Sequence, residues 1–138
     1  MQKLIFFCFI TLFLFGLSAN ALPGEPAQRH RVDVLYMDHG PVQPTLRELR
    51  GIFPNYGDEI ALFWHDFESE DGARFKSKMG IHRHVPLVIW IDGKSTLQVN
   101  GRSVTFSGFP TGAGPSFFQG KWKMADLKMA LDGLIGSQ

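Results

Sequence analysis

His82-Arg83-His84-Val85-Pro86-Leu87-Val88-Ile89-Trp90-Ile91-Asp92-Gly93-Lys94 is the stretch whose reading decides the fold. A short polar approach leads to a proline, then to five apolar residues, then to an Asp-Gly turn. A run of five apolar residues rich in β-branched types and closed by a turn signal predicts a buried strand over residues 87–91. Pro86 stands at its first position, where a missing N–H removes nothing from the ladder. Such a strand is expected at the centre of a covered sheet.

Working outward from it, the chain alternates strand and helix signals. Residues 32–37 are rich in β-formers and read as a first strand, broken by Asp38-His39-Gly40-Pro41. A first helix is expected to start near Thr45, because Thr45 and Glu48 have the spacing of a capping box. Leu46, Leu49, Ile52 and Phe53 would form its inner face, and Pro54 would end it. Residues 59–65 read as a second strand, apolar on both alternating faces and so expected to be covered on both sides. Ser69 or Asp71 can cap a second helix containing Phe75 and Met79 and closing at Gly80.

After the decisive strand, Asp92-Gly93 and Asn100-Gly101 are hairpin turn signals. Residues 96–99 and 103–106 alternate, which predicts a three-stranded antiparallel meander. Residues 108–120 hold four glycines and two prolines and read as a long surface loop. Residues 122–135 read as a last helix with Met124, Leu127, Ala130, Leu131 and Leu134 inward. A strand–helix–strand unit demands a parallel pair joined by a right-handed crossover, and the later hairpin is antiparallel, so a mixed α/β sheet follows.

The chain of 138 residues opens with Lys3 and an apolar run, then Ser18-Ala19-Asn20-Ala21. That pattern is a secretory signal peptide over residues 1–21, with cleavage expected after Ala21. The run is shorter than the ~20 residues a spanning helix needs, so no stable membrane anchor is expected. The product would be periplasmic or secreted. Residues 22–30 read as a flexible lead-in to one domain over residues 31–138. Removing Lys3 leaves 13 basic and 13 acidic side chains, a balance that argues against a nucleic-acid partner. The one cysteine, Cys8, lies within the signal, so the exported chain has no thiol chemistry.

The order β-α-β-α-β-β(-β)-α, with an X-Pro step opening the third strand, resembles the thioredoxin-like superfamily. In that family Cys-Gly-Pro-Cys follows strand one. Here His39-Gly40-Pro41-Val42 stands in its place, with the Gly-Pro pair kept and both sulfurs replaced. Val85-Pro86 is similar to the family's cis-proline loop, and residues 122–135 to its closing helix. Two departures stand out: a shorter first strand, and an insertion over about residues 100–120. The resemblance implies a three-layer α/β/α sandwich with a mixed sheet, a cis peptide at Val85–Pro86, and a groove lined by His39, Gly40, Pro41, Val42, Val85 and Pro86, with the loop near Phe109–Phe118 also beside it. It implies a redox-inactive member, not a thiol–disulfide enzyme, that binds a peptide or protein by pairing with the backbone edge at Val85.

Topology brings Asp38, His39, His65, Asp66, His82 and His84 to one edge of the sheet, where open α/β sheets place ligands. An alternative reading is therefore a periplasmic metal-binding protein holding zinc or copper through His39, His84 and His82, with Asp38 as a further ligand. His-x-His in an extended loop points its two side chains apart, so at most one of the pair would join His39. No other cofactor is implied. A second alternative is a non-thiol enzyme with His39 as general base, oriented by Asp38 or Asp66. No nucleophile elbow accompanies it. Gly114…Gly120-Lys121 has the wrong spacing for a phosphate loop, and Trp122 stands where Ser or Thr belongs. Phe109, Phe117 and Phe118 make the insertion aromatic and are candidates for a partner surface if exposed.

Overall fold

The computed structural model describes residues 29–136. The signal segment with its Ala21 cleavage site, Cys8 and most of the lead-in lie outside the described residues. The remainder is a mixed α/β chain: a three-stranded mixed sheet, a separate two-stranded sheet and three α-helices.

Strands β1 (His30–Tyr36), β2 (Ile60–Asp66) and β3 (Leu87–Ile91) form the larger sheet in the order β2-β1-β3. β1 runs parallel to β2 and antiparallel to β3. Alternation of side chains across the sheet then sorts the residues into two cores. Val32, Val34, Leu87, Ile89 and Ile91 pack with helix α1 (Gln43–Ile52) and helix α3 (Met124–Ile135), through Leu46, Leu49, Leu127 and Leu131. Leu35, Val88 and Trp90 pack with Phe75 of helix α2 (Glu70–Met79) and with Val85.

All five residues of β3 are buried, as the sequence predicts. β1 is the middle of the three strands, but β3 also has a neighbour on each side, because residues 106–108 pair along its outer edge. The expected meander divides. Asp92 and Gly93 both take positive φ, 48° and 78°, and make a tight turn that keeps only the Ile91–Lys94 bridge. The free edge of β3 is then taken by residues 106–108: Ile89 N donates to Phe106 O at 2.9 Å, and Gly108 N to Leu87 O at 2.8 Å. One edge accepts one neighbour, so β4 (Thr96–Val99) pairs with β5 (Arg102–Thr105) as a sheet of its own.

Local signals explain most boundaries. Ser69 caps α2 by accepting from Gly72 N, and Gly80 closes it in the left-handed conformation. α1 departs from expectation. Gly40–Val42 form a 3-10 turn that runs directly into it, so Thr45 lies inside the helix and is buried rather than capping it. Pro41 and Pro44 are placed in first turns, where no N–H is required. The last helix begins at Met124 rather than at Trp122, whose ring is buried ahead of it.

β2 is the second departure. It ends the sheet, so its outer flank has no neighbouring strand among the described residues. Phe63 is accordingly 40 % exposed, with the Arg31 guanidinium 3.9 Å above its ring. Finally, the Val85–Pro86 peptide is trans, like every peptide bond among the described residues, which corrects the cis expectation. The trans form is the one X-Pro bonds favour by ~0.5–1 kcal/mol. In it, Pro86 O accepts from Met37 N at 3.0 Å, joining the proline loop to the end of β1.

Candidate functional site

The proline loop and the aromatic insertion meet. Residues 106–108 run along β3, and the chain then loops out and returns, with Phe109 N donating to Phe118 O at 2.9 Å and Gly120 N to Phe109 O at 2.7 Å. The return passes so close that a Cβ on Gly108 would stand 2.4 Å from Phe118 O. This closure sets Phe117, Phe118 and Gln119 opposite His84, Val85 and Pro86 across a cleft of about 150 Å³.

The two walls differ in chemistry. On one side no described backbone or side-chain group hydrogen-bonds to the amide or carbonyl of Val85. Val85 is nevertheless only 5 % exposed and packs in the core beneath α2, so the loop is anchored while its amide and carbonyl have no partner among the described residues. On the other side Phe117 is 78 % exposed and its ring touches that of Phe118 at 4.5 Å between centroids. His84 lies between Phe67 and Phe118, at 5.8 and 6.1 Å. Lys76 stands 3.5 Å over the Phe67 ring, so a cation–aromatic–imidazole–aromatic run borders the cleft. Gln119 does not reach into it freely: its side chain accepts from Gly112 N and donates to Gly114 O, holding the loop in shape.

Of the groove residues expected from sequence, Val85 and Pro86 line this cleft, whereas His39, Gly40, Pro41 and Val42 do not. His39 is exposed just ahead of the 3-10 turn, Gly40 and Pro41 are exposed within it, and Val42 is in the core. Phe117 and Phe118 belong to the cleft; Phe109 is 2 % exposed and is a core residue, which corrects its place on a partner surface. Arg83 lines the cleft as a chain neighbour of Val85, whereas Ser107, Gly108 and Gln119 escape a sequence reading because only the pairing of residues 106–108 with β3 and the return of the loop bring them there.

The metal set is not assembled. Among the described residues no three His, Cys, Asp or Glu side chains come together to hold an ion. His39, His82, His84 and Asp38 therefore form no ligand set. Asp38 accepts from Gln43 Nε2 at 2.6 Å, and His84 is occupied by its aromatic neighbours. No hydrogen bond joins His39 to either carboxylate expected to orient it; Asp66 instead accepts from Glu68 N at 3.0 Å.

His30 meets one carboxylate, Asp92, at 2.7 Å, and His65, expected at the same sheet edge but given no role there, meets two. The His65 Nε2 lies 2.8 Å from Asp33 Oδ1 and its Nδ1 2.5 Å from Asp71 Oδ2. Arg31 donates to both oxygens of Asp33, at 2.7 Å each. Burial pushes the Asp33 carboxyl upward, but the hydrogen bonds from Arg31 and His65 outweigh it and hold the group below its ordinary value. The His65 ring stacks on Phe75 at 3.8 Å. The network joins β1, β2 and α2. Its signal in the sequence is Asp33 inside an apolar strand, which in a parallel pair needs a partner on β2.

Comparison with family profiles, with characterised proteins and with solved structures gave no significant match.

Proposed function

We propose that the chain is an exported, redox-inactive domain of thioredoxin-like, three-layer α/β/α architecture that docks an extended peptide or protein segment beside Val85–Pro86. The observation that carries this reading is the unpaired backbone amide and carbonyl of Val85, at a narrow cleft whose other wall holds an exposed aromatic. An extended segment would pair its main chain with Val85 and lay a side chain against Phe117 and Phe118, the strand-addition mode of recognition. Export rests on the pattern of residues 1–21, and the absence of thiol exchange on Cys8 being the one cysteine of the chain and lying in that segment.

The test is a backbone-amide spectrum of residues 22–138 recorded while a library of unstructured peptides is added. Shifts confined to Arg83, His84, Val85, Ser107 and Phe117 are expected for peptides that bind. Binding peptides that leave these amides unmoved, or an absence of binding across the library, would overturn the reading.

A further inference from the structure

A second cleft, of about 340 Å³, lies on the opposite flank, where the end of α1 meets the outer edge of β2. Phe53, Ile60, Leu62 and Trp64 give it an apolar wall, and Arg50 stands at its rim. The wall is fixed: the Trp64 ring meets Tyr36 edge-on at 5.7 Å and Phe53 at 5.9 Å. Arg50, in the last turn of α1, lies 5.3 Å from the Trp64 ring and has no carboxylate partner among the described residues. Arg31, Arg74 and Arg102 by contrast each have one. The Trp64 indole N–H likewise has no acceptor, and because no buried side-chain polar atom is unpaired, it opens to solvent.

An apolar cleft of this size with one polar group fixed at its rim has the make-up of a small-molecule site. The free guanidinium sets the sign of the ligand, and its planar fork matches a carboxylate. We infer that this cleft binds a small amphipathic carboxylate, with the acid group on Arg50 and an apolar tail along Leu62, Trp64 and Phe53. The site is independent of the cleft beside Val85.

Octanoate and 1-octanol, which share a tail and differ in charge, test this on the full domain, read through the indole N–H resonance of Trp64. Octanoate should shift it saturably with a midpoint of about 1 mM, and 1-octanol should bind several-fold more weakly. Arg50→Gln should weaken octanoate about tenfold, leave 1-octanol unchanged, and be partly rescued by Arg50→Lys, which keeps the charge. Arg50 is exposed, so these variants should fold. No saturable shift, equal binding of the acid and the alcohol, or Arg50→Gln binding octanoate like the wild type would each overturn the inference.

Discussion

Asp33 and His65 meet across neighbouring parallel strands, Oδ1 to Nε2 at 2.8 Å, with both side chains buried. Asp71 faces the other ring nitrogen, so the imidazole stands between two carboxylates. The pair thus joins two strands of the sheet and, through Asp71, the first turn of α2. Removing Asp33 would leave a buried, half-paired ring, and breaking a buried pair costs about 3–5 kcal/mol. Asp33→Ala should approach that cost in urea unfolding. Asp71 is more than half exposed, so Asp71→Asn should cost under about 1 kcal/mol. Equal costs for the two would contradict the assignment.

The same carboxyl gives a pH dependence with a definite sign. Asp33 is held below its ordinary value in the folded protein, so its contribution is complete above the unfolded value of about 3.9. It declines as pH falls below that and is gone once pH has passed the lower folded value. The stability difference between wild type and Asp33→Asn should therefore hold from pH 7 down to about 4 and shrink as pH drops further. A difference that stays constant down to acid unfolding would contradict it.

Gly72 lies where α2 crosses the end of β2, and a Cβ there would stand 1.7 Å from Asp66 O. That atom is backbone and cannot swing aside. Gly72→Ala should cost about 3 kcal/mol as the helix is pushed off the strand, measured as a fall in the unfolding midpoint. Its exposed neighbour Ala73 should tolerate Ser within about 0.5 kcal/mol.

Asp126 is 3 % exposed, accepts from Lys123 N at 2.8 Å and pairs with Arg102 of β5. It thus closes the first turn of α3 and ties it to the small sheet. Losing such a charge-assisted bond costs about 2 kcal/mol, so Asp126→Ala should lower stability by that amount. Arg102→Ala should cost less, because Asp126 keeps its backbone donor. Amide exchange at the start of α3 would report both.

Phe117 separates stability from binding. At 78 % exposed it contributes little to the core, and Phe117→Ser should change stability by less than about 0.5 kcal/mol. If the cleft docks a partner, the same change should weaken binding by about 2 kcal/mol, the scale of an aromatic anchor. Calorimetry with a peptide selected on the wild type measures both, and undiminished affinity would exclude Phe117 as an anchor.

The strands and helices were legible because each carries its own local signal. Leu87–Ile91 is buried for the reason its composition states, and Ser69 and Gly80 bound α2 by side-chain and backbone chemistry alone. Thr45 misled because the spacing of a capping box says nothing of the turn packed ahead of it; Pro41 and Pro44 had already begun the helical path. Val85, Pro86 and the loop near Phe118 were legible as parts of one groove, but the stretch from His39 to Val42 was wrongly placed in it. His39 is near in sequence logic, while Ser107 and Phe117 are near in space.

The sequence by itself determined the element order, the direction of the strands and the buried strand behind Pro86, since periodicity and turn chemistry act over a few residues. Only the tertiary structure decided which segment occupies the free edge of β3, which histidine stands between two carboxylates, and which aromatics stay in solvent. Those outcomes depend on competition between distant segments for one hydrogen-bonding edge and for one limited core, and no local pattern encodes the winner.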